Sequence, residues 1–172
     1  QTLAIVHQRS VRETATDLWE ALEEGLVLPL GNAYKLMALE MQGLAEEVTV
    51  EYRFAHDRIQ QAAYYLIPEQ GKEALHHQIG QLLLQRLSGN ERGRRIFDIV
   101  NHLNLGKRLL CSQTERKELA ELNLLAGKKA KTAAAHKVAL NYLQVGLELL
   151  EENSWQTQYQ VTLALHEEAA EA

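Results

Sequence analysis

The stretch "YRFAHDRIQQAAYYLIP" (52–68) places the residues best suited to chemistry, His56 and Asp57, where alternating apolar residues give way to an amphipathic helix. Two chemistries suit that position. Asp57 can cap the helix, its carboxylate accepting a backbone N–H while Gln60 reaches back, which leaves His56 a partly buried strand-end residue. Alternatively, the unpaired N–H groups and partial positive charge of a helix start attract an anion, to which His56 can donate a hydrogen bond. Asp57 opposes such an anion unless it is occupied in capping.

Other chemistry-bearing residues point to less. "GK" occurs at Gly71-Lys72, Gly106-Lys107 and Gly127-Lys128, but Glu73, Arg108 and Lys129 stand where a phosphate-binding loop needs Ser or Thr. Gly106 reads instead as a helix stop. His76 and His77 are adjacent and diverge by about 100° on a helix, whereas a helical metal pair needs a spacing of three or four. No metal site is therefore expected. Cys111 is the single cysteine, so no internal disulfide or cysteine-based zinc site forms, which suits a reducing, cytoplasmic setting. Kinase catalytic-loop signatures and a nucleophile elbow are absent, and no catalytic residue is assigned. The basic runs "ERGRRIF" and "GKKAKTAAAHK" lack interleaved aromatics, which weighs against nucleic acid as a partner.

Charge is arranged in blocks. The net −5 resolves into −6 over residues 1–70, +7 over 71–137 and −6 over 138–172. Either the middle block faces an acidic neighbour or the pieces face one another. No apolar run approaches a membrane span, and no basic-then-apolar signal segment opens the sequence. The sequence opens on Gln1 and closes in the helix-like "LHEEAAEA", which suggests a piece of a longer protein.

Ser10 and Glu13 form a capping box for a helix over 10–24, with Val11, Ala15, Leu18, Trp19 and Leu22 on one face and Gly25 as its left-handed cap. "LVLPL" (26–30) reads as a short extended piece ended by Pro29 and "GN". A helix-compatible stretch with Met37 and Met41 follows. "EVTVEYRF" alternates Val48, Val50, Tyr52 and Phe54 against polar residues, as a half-buried strand does.

From Asp57 onward the pattern is helical, with stripes Ile59/Ala63/Leu66 before Pro68 and Leu75/Ile79/Leu82/Leu83 ending near "SGN" (88–90). Ile96/Phe97/Val100/Leu103 form a third stripe. Leu119/Leu122/Ala126/Ala130 form a fourth, behind a second capping box at Ser112 and Glu115. Val138, Ala139, Tyr142, Leu143 and Leu150 carry a further helix, and Trp155, Tyr159 and Leu163 begin a last one. The short connections predict antiparallel hairpins. An exposed apolar stripe around Tyr159 and Leu163 predicts self-association.

Over 119–153, Gly127, Ala139, Tyr142, Gly146 and Leu147 resemble a tetratricopeptide repeat, although Ala130 stands where the large aromatic of the first helix is usual. The segments "YRFAHDRIQQAAYYLIP", "EALHHQIGQLLLQRL", "IFDIVNHLNLGKRLL", "ERKELAELNLLAGKKAKTAAAHKVALNYLQVGLELL" and "SWQTQYQVTLALHEEAAEA" together resemble the predicted-ATPase module of bacterial multi-sensor signalling kinases, which carry a STAND-type NTPase core. The resemblance implies a mainly α fold: a winged-helix-like remnant with a small β element over 1–67, then a tetratricopeptide-like array of antiparallel hairpins over 68–172. It also implies a non-catalytic regulatory and scaffolding role, coupling the nucleotide state of an upstream NTPase domain to downstream sensor and kinase domains. The alternatives are a standalone protein-binding helical repeat and, third, a nucleic-acid-binding winged helix. In related STAND proteins a His-Asp motif senses bound ADP. The matching residues here are His56 and Asp57, behind Phe54. The P-loop and the Mg²⁺-binding acid have no counterpart in this sequence, so ADP or ATP is expected in the parent protein and no cofactor in these residues alone.

Overall fold

The computed structural model describes residues 3, 9–30 and 51–172, and within them the protein is mainly helical with one small two-stranded antiparallel sheet. The stretch holding Met37 and Met41, and Val48 and Val50 of the expected strand, lie outside the described residues. The chain divides into two compact units, Gln1–Pro68 and Glu69–Ala172.

In the first unit, helix α1 (Val11–Glu23) starts at the capping box foreseen for it. The Ser10 hydroxyl accepts the Glu13 N–H at 3.2 Å, and the Glu13 carboxylate accepts the Ser10 N–H at 3.0 Å. Gly25, with φ +67°, turns the chain out of the helix in the left-handed region that favours glycine. Ala15 is buried, but Trp19 is 51% exposed and does not join it. Strands β1 (Val27–Leu30) and β2 (Glu51–Phe54) pair with Val27 opposite Phe54 and Leu30 opposite Glu51. Pro29 does not end β1; it sits within it opposite Tyr52, which a two-stranded sheet allows because each strand has an open edge. Helix α2 (Asp57–Tyr65) follows, and none of its residues is buried. Leu66, expected on its apolar face, is 84% exposed.

The second unit is a run of helices: α3 (Glu69–Arg86), α4 (Gly89–Arg94), α5 (Ile96–Leu105), a 3-10 turn (Lys107–Leu109), α6 (Gln113–Thr132), α7 (His136–Leu149), α8 (Ser154–Thr157) and α9 (Tyr159–Glu171). "SGN" does more than stop a helix. Ser88 and Glu91 form a capping box that starts α4, with the Glu91 carboxylate accepting the Ser88 N–H at 3.0 Å. Ser112 and Glu115 do the same for α6, as expected. In both boxes the hydrogen bonds from the serine hold the glutamate below the usual carboxylate range.

Three antiparallel helix pairs touch through glycine. A Cβ at Gly80 of α3 would lie 2.6 Å from the Leu103 Cγ of α5. One at Gly127 of α6 would lie 2.6 Å from the Leu143 Cγ of α7, and one at Gly146 of α7 would lie 2.7 Å from Leu165 Cδ2 of α9. All three leucines are buried. Glycine inside a helix costs about 1 kcal/mol against alanine, so its use at these crossings is explained by packing and not by propensity. Gly106, read as a helix stop, closes α5 and also admits His77, whose backbone N would lie 2.9 Å from an added Cβ. Ile96, Val100, Ala126 and Tyr142 form the core where α5, α6 and α7 meet, with Phe97 and Leu122 packed around it. Val138, expected on the α7 stripe, is 48% exposed.

The charge blocks meet within this unit. Lys107 pairs with Glu148 at 2.7 Å, Lys128 with Glu168 at 3.6 Å, and Lys131 with Glu168 and with Glu171, the latter at 2.8 Å. Each pair joins the +7 segment to the −6 segment, so the pieces do face one another. Exposed pairs of this kind contribute about 0–1 kcal/mol each and act mainly on orientation.

Replacement of Gly127 by alanine should destabilise the protein by about 1–3 kcal/mol, because its Cβ would force the fully buried Leu143 to shift. Gly71→Ala, where a Cβ meets nothing within 4 Å, should be neutral or stabilising by up to about 1 kcal/mol. Urea denaturation of the two variants checks the contrast, and equal effects would remove the steric account of the crossing.

Candidate functional site

His56 and Asp57 stand where β2 gives way to α2, and the backbone decides their roles. His56 is the N-cap, extended at φ −145° and ψ 146°, and its carbonyl accepts the N–H of Ile59 at 2.9 Å and of Gln60 at 3.2 Å. Asp57 is the first helical residue and not the cap. No side chain makes the cap hydrogen bond, so the reciprocal Asp57–Gln60 box read from the sequence does not form. The reason is positional: a carboxylate one residue inside the helix cannot turn back onto the N–H groups that an N-cap side chain reaches. His56 is exposed and not partly buried, and Asp57 is exposed beside it. The two present a histidine ring and a carboxylate at the positive end of a nine-residue helix.

The second unit brings together polar groups that the sequence did not pair. The Nδ2 amide of Asn104 on α5 donates to Oδ1 of Asn123 on α6 at 2.9 Å, and Nδ2 of Asn123 donates back to Oδ1 of Asn104 at 2.9 Å. Nδ2 of Asn123 also donates to the Leu119 carbonyl at 2.9 Å, and its side chain is fully buried. The Tyr142 hydroxyl of α7 donates to Oδ1 of Asn101 at 2.8 Å, while its ring lies 5.7 Å from that of Phe97. Burial pushes that hydroxyl above the ordinary phenol value, which keeps it a donor. On α3 and α5, the Nδ1 atoms of His76 and His102 face each other at 2.8 Å. His76 therefore points across the helix pair, while His77 packs on Gly106.

The basic runs are largely engaged within the fold. Arg92 donates from Nε to the Leu87 carbonyl at 2.8 Å, and Arg95 holds Asp98 at 2.9 Å. Lys129 donates to the carbonyls of Gly93 at 2.6 Å and Arg94 at 3.3 Å, with its ammonium 5.5 Å from the centre of the Phe97 ring. These contacts close the end of α4, a use of basic side chains that needs no polyanion. Cys111 is exposed, its thiol 3.4 Å from the Leu109 carbonyl. Among the described residues no group of three His, Cys, Asp or Glu could hold a metal ion, and no helix is long and apolar enough to cross a membrane.

At the end of the chain Trp155 and Tyr159 are exposed, with ring centres 6.0 Å apart, and Trp155 stacks on His166 at 5.2 Å and 12°. Leu163, expected beside Tyr159 on an exposed stripe, is half-buried, and the buried residues of α9 are Val161, Thr162 and Leu165.

The chain is similar to the hybrid signal transduction histidine kinase G of Dictyostelium discoideum, 34% identical over 116 aligned residues that cover 59% of this chain. It spans about 3% of that relative's length. The relative is not bacterial, so this likeness does not carry the bacterial assignment that the sequence resemblance implied. No family model matches the chain, and no solved structure matches it.

Substitution of Asn104 or Asn123 by alanine should each destabilise the protein by about 1–3 kcal/mol, since either change removes both hydrogen bonds of the pair and loss of Asn104 leaves the buried Oδ1 of Asn123 without its donor. The double variant should lose less than the two single losses combined, by about 1 kcal/mol in a double-mutant cycle. Strictly additive losses would show that the two amides share no interaction.

Proposed function

We propose that the chain is a non-catalytic regulatory and scaffolding segment of a signal-transduction ATPase or sensor kinase. In this reading, residues 1–67 are a winged-helix-like element that follows nucleotide state, and residues 68–172 a tetratricopeptide-like array that passes it to other domains. The observation that carries the signalling part is the 34% identity to a segment of a hybrid histidine kinase. The close crossings at Gly127 and Gly146, with Ala139 and Tyr142 buried between them, support the repeat-like array. The partners proposed are an upstream NTPase domain and downstream sensor and kinase domains of the same polypeptide, in the cytoplasm.

The nucleotide, ADP or ATP, belongs in this proposal to the upstream domain. His56 suits a contact to its phosphate because it is exposed at the head of α2, where no side chain caps the helix. Asp57 supports the motif by position and opposes the phosphate by charge. For a switch of this kind, the nucleotide must bind one arrangement of the domains more tightly than the other.

The test is ADP affinity in a chain extended upstream through the NTPase core, with and without His56→Ala. An exposed residue should be replaced without loss of the fold, and ADP should bind about tenfold more weakly, about 1.4 kcal/mol. Unchanged affinity would return the His-Asp pair to a purely structural role at the helix start.

The exposed aromatic pair Trp155 and Tyr159 favours a second reading, a protein-binding helical module with no nucleotide link, in which the chain associates with itself through this face. Light scattering should then show mass rising with concentration, and less so in a Trp155→Ala/Tyr159→Ala variant. A monomer at every concentration would exclude self-association.

A further inference from the structure

Two imidazole Nδ1 atoms 2.8 Å apart impose a strict proton count. One ring must carry an N–H there and the other a lone pair, because two lone pairs repel and two N–H groups cannot approach so closely. The rings lie with centres 5.0 Å apart and planes inclined at 37°, both half-buried. A metal ion does not account for the spacing: a tetrahedral ion at about 2.0–2.1 Å from each nitrogen holds the two about 3.3 Å apart. A shared proton does.

We propose that His76 and His102 form a proton-operated latch between α3 and α5, closed while one N–H is shared across the pair and released when solvent protons occupy both Nδ1 atoms. With both rings charged, two N–H groups point at each other and two like charges stand at hydrogen-bond distance. The rings must then separate.

Their position makes that separation matter. Leu103, next to His102, fills the space over Gly80, and His77, next to His76, packs on Gly106. The latch thus sits between two close contacts of α3 and α5, Gly80 with Leu103 and Gly106 with His77, and its opening strains both. These contacts lie within one compact unit, so the latch does not depend on the signalling reading.

Charged groups flank the pair, among them Lys72 of α3, one turn before His76 and paired with Glu69. Asp98 and Arg95 of α5 act on His102 in opposite senses. Other charged groups on the neighbouring elements are engaged: Glu73 of α3 with Arg108 of the 3-10 turn at 3.5 Å, Glu115 of α6 with Ser112 and the nearby His77, Lys129 of α6 with the carbonyls closing α4, and Arg92 of α4 with the Leu87 carbonyl. Lys107 of the 3-10 turn holds Glu148.

Burial holds both rings below the ordinary value of 6.5, and the charge of His76 adds to the effect on His102. The unfolded chain takes up these protons near that ordinary value, while the folded chain resists until lower pH. Stability from the latch is therefore complete above about pH 6.5 and declines as pH falls below it toward the folded values.

Urea denaturation of the wild type and of His102→Gln at pH 7.5 and 5.5 tests the latch, since glutamine can donate to Nδ1 of His76 but cannot be protonated. The unfolding constant of the wild type should rise between the two pH values by about threefold or more beyond the rise in the variant. Nitrogen NMR of labelled histidines at pH 7.5 should show one of the two rings with its proton on Nδ1, and the two titrating as a coupled pair. Equal pH dependence in both proteins would overturn the latch. Should the variant not fold, the wild-type spectra decide: both rings protonated on Nε2 at pH 7.5, or two independent titrations in the ordinary histidine range, would overturn it equally.

Discussion

The second unit depends on helices that approach until the side chain of one meets the backbone of the next. At Gly80, Gly127 and Gly146 a buried leucine fills the space that any larger residue would occupy. Each leucine contributes about 1.5–3 kcal/mol by leaving water, more than the roughly 1 kcal/mol by which glycine weakens its own helix. The crossings thus yield a net gain only if all partners stay in register. A shift of one residue along either helix would put a side chain where glycine is required and remove the leucine from its seat.

Apolar seams resist separation, but leucine contacts alone discriminate weakly between neighbouring registers. The polar pairs supply that discrimination. Asn104 and Asn123 satisfy each other's amides in one alignment of α5 and α6, and Tyr142 reaches Asn101 only when α7 lies correctly on the same pair. A misaligned pairing would leave Asn123, wholly buried, with a stranded donor or acceptor. The seams therefore supply most of the stability, and the amide and phenol contacts select which arrangement receives it.

This division explains what could be read in the sequence. Local devices were legible because their partners are three or four residues apart: the capping boxes at Ser10–Glu13 and Ser112–Glu115, the left-handed Gly25, the stop at Gly106, and the stripes through Leu83, Val100 and Ala126. The Ser88–Glu91 box carried the same signal, hidden behind a reading of "SGN" as a stop. Pairs set by tertiary packing gave no such signal. His76 and His102 are 26 residues apart and Asn104 and Asn123 are 19 apart, so no periodicity links them. Trp19, Leu66 and Val138 follow a helical period yet remain exposed, because a stripe states which residues could be covered and not whether a neighbour covers them. The candidate pair His56–Asp57 was legible as a strand-to-helix junction, but its capping assignment was off by one residue, the least certain feature of any helix boundary.

The same division indicates where a helical array can respond to a signal without coming apart. Moving a glycine–leucine seam exposes buried leucine and costs several crossings at once, so the seams behave as rigid parts. A hydrogen bond between two neutral imidazoles contributes only about 0.5–1.5 kcal/mol and gives way to like-charge repulsion once both rings are protonated. Asn104–Asn123 has no comparable trigger, since amides do not titrate at ordinary pH. Unlike the amide pair, the histidine pair can therefore change strength with pH while the chain stays the same. A regulatory segment needs such an element: rigid enough on either side to carry a displacement, and weak enough at one point for a small chemical event to start it.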